Sequence, residues 1–228
     1  MRAENHTQVR VPLDQAALRR ALVRPGGLWR DLEIVESTGS TNADLLARAL
    51  AGEPEGAVLA AEEQRAGRGR MGRTWTAPPR AALTFSLLLK PAVPPARRGW
   101  LPLLTGVAVA AAVTRATGVE TGLKWPNDLL AADATALDRA SLLLAILGEL
   151  EHWYRAWQRA GGDPDRSGLR AEYTRLSATI GRTVRAELPG GQALSGPAAG
   201  VDSDGRLLVR VSSGAEVAVS AGDVVHLR

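Results

Sequence analysis

Cysteine is absent from the 228 residues, which removes disulfide frameworks, thiolate metal sites and thiol nucleophiles. Histidine is scarce: His6, His152 and His226 lie far apart and offer no metal-ligand spacing. With one Phe and two Tyr, the interior must be filled by Leu, Val, Ala and six Trp. Lysine is nearly missing too. Of 28 basic residues only Lys90 and Lys124 are lysine, leaving 28 − 2 = 26 arginines, so the two exceptions merit inspection. The first ten residues are polar and carry no apolar run of the signal-peptide kind. The most apolar stretch, residues 101–113, is interrupted by Thr105 and too short to span a bilayer. These absences lead to the expectation of a soluble, cytoplasmic protein that does not enter a membrane. What is present is ordinary globular composition, 45% hydrophobic and 23% charged with a net charge of +4. The length suits one large domain or a domain with a small appendage. So modest a charge does not by itself argue for nucleic acid.

The densest chemistry lies between Glu62 and Trp75. Gly67, Gly69 and Gly72 alternate with Arg68, Arg70 and Arg73. Glycine lets main-chain N–H groups approach a ligand closely, and successive N–H groups in such a turn make an anion-binding concavity. Guanidinium forks grip carboxylate or phosphate oxygens with two bonds. The stretch therefore suits an anionic ligand. A solvated surface loop or an arginine–glycine contact to nucleic acid is equally compatible with it.

Around this loop the pattern alternates between strands and helices. Leu13, Leu18 and Leu22 have helical spacing before a Pro25-Gly26-Gly27 break. Strands are expected at 32–35, 58–61, 84–89 and 119–125, the third apolar enough to be buried on both faces. Ser40-Thr41-Asn42-Ala43-Asp44 opens a helix running to about Leu50, with Ser40 or Thr41 as its cap, the latter paired with Asp44 at capping-box spacing. Residues 100–117 read as a core helix stopped by Gly118. From Ser141 a stripe of Leu142, Leu143, Ile146, Leu147, Leu150, Trp153, Tyr154 and Trp157 marks another helix, and 169–176 a shorter one. After Gly181 the period becomes two, with turns at 189–191, 202–205 and 212–214, so the tail reads as a small β barrel. The expected organisation is an N-terminal extension (1–30), an α+β catalytic domain with a mixed sheet and packed helices (31–177), and an all-β barrel (178–228).

Ser40-Thr41-Asn42, Gln64, the 67–75 run and Lys124-Trp125-Pro126-Asn127-Asp128, in that order and spacing, resemble the biotin protein ligase family. The resemblance spans about residues 31–130 and 137–228. It implies use of ATP and Mg2+, formation of biotinyl-5'-AMP, and transfer of biotin to a lysine of a biotin carboxyl carrier domain. It further implies that Ser40, Thr41, Asn42, Gln64, Arg68, Gly69 and Arg70 bind biotin, and that Arg70, Arg73, Trp75, Lys124 and Asn127 bind ATP. Arg68, Arg70 and Lys124 would be the catalytic cations, and no protein metal ligand is expected. A homodimer is compatible with the resemblance; specific DNA binding is not expected, because no N-terminal DNA-binding domain is read.

One departure stands out. The family continues after Lys-Trp-Pro-Asn-Asp with two strands, one carrying a further lysine and one a Gly-x-Gly-x-Asn pattern. Here Asp128 leads almost directly into the helix near Ser141, so both strands and that lysine are missing. Arg139 is a candidate substitute cation. Three readings stay open: an active ligase, a shortened homologue that binds biotin or biotinyl-AMP without efficient transfer, and a basic nucleic-acid module.

Overall fold

The computed structural model describes residues 10–69, 74–131, 138–188, 192–220 and 222–227. The chain divides into two compact units, Met1–Lys90 with Arg139–Leu144, and Pro91–Asp138 with Ala145–Arg228.

The first unit is built on a three-stranded sheet in the order β1-β2-β5, comprising β1 (Asp31–Thr38), β2 (Ala57–Gln64) and β5 (Thr84–Leu87). β1 and β2 run parallel, with Thr38 opposite Gln64, whereas β5 is antiparallel to β2. The sheet is mixed, as expected. β2 is central, and its residues 57–62 are buried throughout. β5 corrects the expectation of a strand buried on both faces: it is an edge strand and all four residues are half-buried. An apolar run shows that a strand is sheltered but not on how many sides.

Helix α1 (Gln15–Leu22) is capped by the Asp14 carboxylate, which accepts from Ala17 N. It buries Leu18 and Leu22 and packs on β1. Helix α2 (Thr41–Leu50) links β1 to β2, and Leu45 on its inner face joins Ala57, Leu59, Val35 and Leu88 in one apolar cluster. Ser40, not Thr41, is its cap. Asp44 makes no capping box and instead accepts from the Thr38 hydroxyl.

The centre of the second unit is α3 (Trp100–Thr117), entered through a short 3-10 turn and closed by Gly118 at φ +71°. Gly118 takes the left-handed conformation that commonly ends helices. With the turn, the run Pro95–Thr117 is long and apolar enough to cross a membrane, so length alone does not exclude a span. Within it Trp100, Leu103, Leu104, Val107, Ala108, Ala110 and Ala112 are buried in the protein. Against α3 lie the hairpin of β6 (Thr121–Lys124) and β7 (Asp128–Ala131), and α5 (Leu169–Leu176). Helix α4 (Arg139–Arg159) buries Leu143, Ile146, Leu147, Leu150, Tyr154 and Trp157, six of the eight residues of the stripe read from the sequence, while Leu142 and Trp153 are half-buried. Only residues 132–138 separate β7 from α4, too few for two further strands and their turns.

The tail forms a five-stranded antiparallel sheet in the order β11-β10-β9-β8-β12. Its strands are β8 (Thr183–Glu187), β9 (Ala193–Val201), β10 (Leu207–Arg210), β11 (Glu216–Val219) and β12 (Asp223–His226). Among the described residues no pairing closes it into a barrel. Its turn at Asp202–Gly205 is held by the Asp202 carboxylate, which accepts from Asp204 N and Arg206 N. That turn meets the start of α3 so closely that a Cβ on Gly99 would lie 2.1 Å from Asp204 O.

Candidate functional site

Parallel pairing of β1 and β2 brings their C-terminal ends together, with the start of α2 above them. Ligands of open α/β sheets lie at such strand ends, where loops and a helix N-terminus offer polar groups. Here Gln64, the last residue of β2, accepts through Oε1 from Thr41 N at 3.0 Å and from Thr41 Oγ1 at 3.1 Å. Thr41 Oγ1 also lies 2.8 Å from Ser86 Oγ on β5, and Thr41 is only 2% exposed. Since the Gln64 oxygen already serves Thr41, the Gln64 amide is left with its N–H groups as donors. A Thr41–Gln64–Ser86 group is thus fixed across two strands and a helix. Asn42, one position on, points into solvent and stays outside it. Ser40 uses its hydroxyl to cap the helix at Ala43 N.

Beyond Gln64 the chain folds back onto the β1–α2 turn, with Arg65 N donating to Thr38 O and Ala66 N to Gly39 O. It then forms a two-residue ladder, β3 (Gly67–Arg68) against β4 (Thr74–Trp75). Gly67 is required by close approach: a Cβ there would lie 2.6 Å from both Gln64 Nε2 and Trp75 O. Arg68 and Gly69 are exposed, and among the described residues Arg68 has no ion-pair partner. Arg70 and Arg73 lie outside the described residues. Trp75, 60% exposed, borders a small recess with Glu62, Glu63, Gln64, Ala77, Pro78, Ala82 and Thr84. An indole open on one side is a surface on which a flat ring can stack.

Glu62 was not singled out in the sequence, yet its carboxylate is 2% exposed. It accepts from Leu13 N at 2.6 Å and pairs with Arg139 at 2.7 Å. Arg139 also donates to Val11 O and Ala82 O. Arg139, the candidate substitute cation, thus directs both terminal nitrogens of its guanidinium to protein acceptors. An acidic residue ending an apolar strand run was the only available signal.

The second unit carries the other motif. Lys124 and Asp128 face one another across the β6–β7 hairpin, with Nζ 3.7 Å from Oδ2. Between them Trp125 and Pro126 are buried, joined by a cis peptide, while Asn127 is exposed at the tip. Gly106 of α3 lets the turn approach: a Cβ there would come within 3.3 Å of Asn127 Cα. Trp125 N donates to Thr179 Oγ1 at 3.0 Å, and its indole Nε1 reaches Gly205 O at 3.4 Å. Tyr173 donates to Pro126 O at 3.1 Å. Burial, then the charge of Asp128, pushes the Tyr173 phenol well above its ordinary value, so it remains a donor. Thr179, wholly buried, also contacts His226 Nε2 at 3.0 Å. Burial and the cations Arg182 and Lys124 hold His226 below the usual imidazole value. None of Tyr173, Thr179, Gly106 or Gly205 was identifiable from sequence, because each acts on a turn 21 to 80 positions away.

Among the described residues no group of three or more His, Cys, Asp or Glu could hold a metal ion.

Comparison with known proteins gives a consistent result. Residues 34–134 match the Biotin/lipoate A/B protein ligase family, and residues 179–227 match the Biotin protein ligase C terminal domain. A biotin--[acetyl-CoA-carboxylase] ligase of Mycobacterium tuberculosis is 42% identical over 267 aligned residues, covering 97% of this chain and 98% of that protein. The bifunctional ligase/repressor BirA of Bacillus subtilis is 39% identical over 98 residues, 43% of this chain but only 29% of that protein. In fold, the chain is similar to biotin protein ligase from Aquifex aeolicus in complex with biotin and ATP. The TM-score is 0.69 at 21% identity, over 87% of this chain and 100% of that one. The alignment to the mycobacterial protein is longer than the chain itself. At least 267 − 228 = 39 of its positions therefore have no counterpart here.

Proposed function

The chain belongs to the biotin protein ligase family, and we propose that it activates biotin with ATP and transfers it to a lysine of a biotin carboxyl carrier domain. The observation that carries this reading is 42% identity to a biotin--[acetyl-CoA-carboxylase] ligase across nearly the whole of both chains. It displaces the nucleic-acid reading, for which a net charge of +4 is little support.

In the first step a biotin carboxylate oxygen bonds to the α-phosphorus of ATP, the bond to the β-phosphate bridge breaks, and pyrophosphate leaves. Two anions must meet, so positioning and neutralisation are the main tasks of the protein. We assign the biotin head to Thr41 and Gln64, whose polar groups are pre-fixed, with Ser40 and Asn42 at the helix entrance. Arg68, Gly69 and Arg70 are assigned to the acyl-phosphate. Arg73, Trp75 and Asn127 take the nucleotide, and Lys124 takes charge on the phosphates. Magnesium enters with ATP as substrate. In the second step the neutral amine of the carrier lysine attacks the acyl carbon, AMP leaves, and the amine proton passes to solvent. Use of ATP and a carboxylase carrier supports the proposal of a cytoplasmic location.

A second reading, binding of biotin or biotinyl-AMP without efficient transfer, is favoured by the 39 or more positions lacking a counterpart. Incubation with biotin, MgATP and a carrier domain separates the two. A labelled carrier lysine supports ligation. Calorimetric binding with neither pyrophosphate release nor label establishes the second reading, and folded protein showing no binding refutes both.

A further inference from the structure

We propose that the Arg139–Glu62 ion pair is a positioning latch that holds both arms of the glycine–arginine loop in register for ligand. The inference rests on the ligase reading for the identity of the ligand, but not for the existence of the latch.

The outgoing arm of the loop is the end of β2, where Glu62 stands two residues before Gln64. Its carboxylate is 2% exposed and pairs with Arg139 at 2.7 Å. The returning arm is the segment from Trp75 to Thr84, and it is tied at the same place. Arg139 Nη1 also donates to Ala82 O at 3.3 Å, while Arg80 N donates to Glu62 O at 2.8 Å. Arg80 sits at φ +61°, a left-handed conformation unfavourable for a side-chain-bearing residue, so the turn 78–81 is held against its local preference. A third strand of contacts ties in the N-terminal segment, through Leu13 N to Glu62 and Arg139 Nη2 to Val11 O. One guanidinium therefore joins the outgoing arm, the returning arm and the segment before α1.

The placement of Arg139 supports a specific role. It opens α4, and a cation in the first turn of a helix opposes the helix dipole. The helix dipole gives no reason for it to be there; a buried carboxylate does. Glu62 in turn would be a buried, uncompensated charge without it, the situation in which loss of one partner is most damaging. Both Glu62 and Ala82 border the recess beside Trp75, so any slackening of the pair displaces Gln64 and Trp75 directly. The geometry assigns positioning, not catalysis: the charged atoms of the pair are hydrogen-bonded to protein.

The test uses the full chain and two readouts. Variants are Arg139→Gln, Arg139→Lys and Glu62→Gln, with Val107→Ala in the core of α3 as a control matched for loss of melting temperature. Tryptic cleavage after Arg68 reports local order without any ligand, and titration with biotinyl-AMP reports the site. Arg139→Gln and Glu62→Gln are expected to raise the cleavage rate tenfold or more and to weaken biotinyl-AMP by a similar factor. Arg139→Lys should recover most of both, and the control should move neither. Glu62→Gln keeps side-chain volume and an acceptor for Leu13 N, so it serves where Arg139→Gln does not fold. Cleavage no faster than in the control overturns the latch. Absence of biotinyl-AMP binding by every form, wild type included, sinks the ligase reading while the cleavage data still decide the latch.

Discussion

Gly67→Ala puts the loop geometry to a direct test. The added Cβ would stand 2.6 Å from Gln64 Nε2 and 2.6 Å from Trp75 O. The amide can rotate aside, but the Trp75 oxygen is main chain and opposes Gly67 in the β3–β4 ladder. Relief to ordinary van der Waals contact requires a movement of 3.4 − 2.6 = 0.8 Å. Such a shift takes ladder hydrogen bonds beyond the roughly 3.2 Å limit of good geometry. The ladder has two residue pairs, so one or two net hydrogen bonds are at stake, about 1–3 kcal/mol in all. A ligand that needs the ordered ladder then binds more weakly in proportion to the fraction still ordered. That amounts to roughly 5- to 150-fold in apparent Kd for biotinyl-AMP at about 1.4 kcal/mol per decade. Opening is local, so the global melting transition should move little. Titration calorimetry beside scanning calorimetry distinguishes the two effects. Unchanged affinity would refute the claim that Gly67 is there for close approach.

Three further outcomes follow from particular contacts. Thr179→Val leaves the buried Trp125 N–H without its acceptor and should lower stability by about 1–3 kcal/mol in urea denaturation; a neutral result would mean the Lys124–Asn127 turn does not depend on it. His226 is held below its ordinary value of 6.5 by burial and by Arg182 and Lys124, so the unfolded chain binds its proton first. Stability should be full above pH 6.5 and fall as pH drops below it, and His226→Gln should flatten that slope in urea midpoints measured between pH 7.5 and 5. Gly148 lies on the exposed side of α4 with nothing within 4 Å of a built Cβ. Gly148→Ala should therefore raise stability by roughly 0.5–1 kcal/mol, measured by thermal denaturation.

The sequence disclosed what local periodicity controls. α3 ends where Gly118 says it must, and the apolar stripe of α4 becomes its buried face, because both follow from residues within a few turns. Resemblance implied that Thr41 and Gln64 serve one ligand, but not that they pair, and Ser86, the third member of that group, comes from an edge strand whose register no local pattern fixes. The β3–β4 ladder is too short to show a period of two. Glu62 and Thr179 were invisible for a common reason: each matters through a partner 77 or 47 positions away. Local spacing carries no information about contacts of that range.

Those long-range contacts bear on how the first unit stays ordered. The sheet β1-β2-β5 leaves β1 as an edge, and an edge strand exposes unpaired main-chain groups that invite association. On β1 this is countered by side chains. Gln15 of α1 accepts from Ile34 N at 2.7 Å, replacing a ladder partner with an amide. Arg19 pairs with Asp31 at 2.5 Å and Arg48 with Glu33 at 2.8 Å, so the edge is also lined with engaged charge. Exposed ion pairs of this kind contribute little stability, but they make a poor template for another strand. The N-terminal extension thus has a structural task that composition alone did not reveal: α1 covers the edge of β1, while the segment before it is held by Glu62 and Arg139. Both devices act on the sheet that carries Thr41 and Gln64. Order around these two residues therefore depends on the N-terminal segment and the first residue of α4 as much as on the sheet itself.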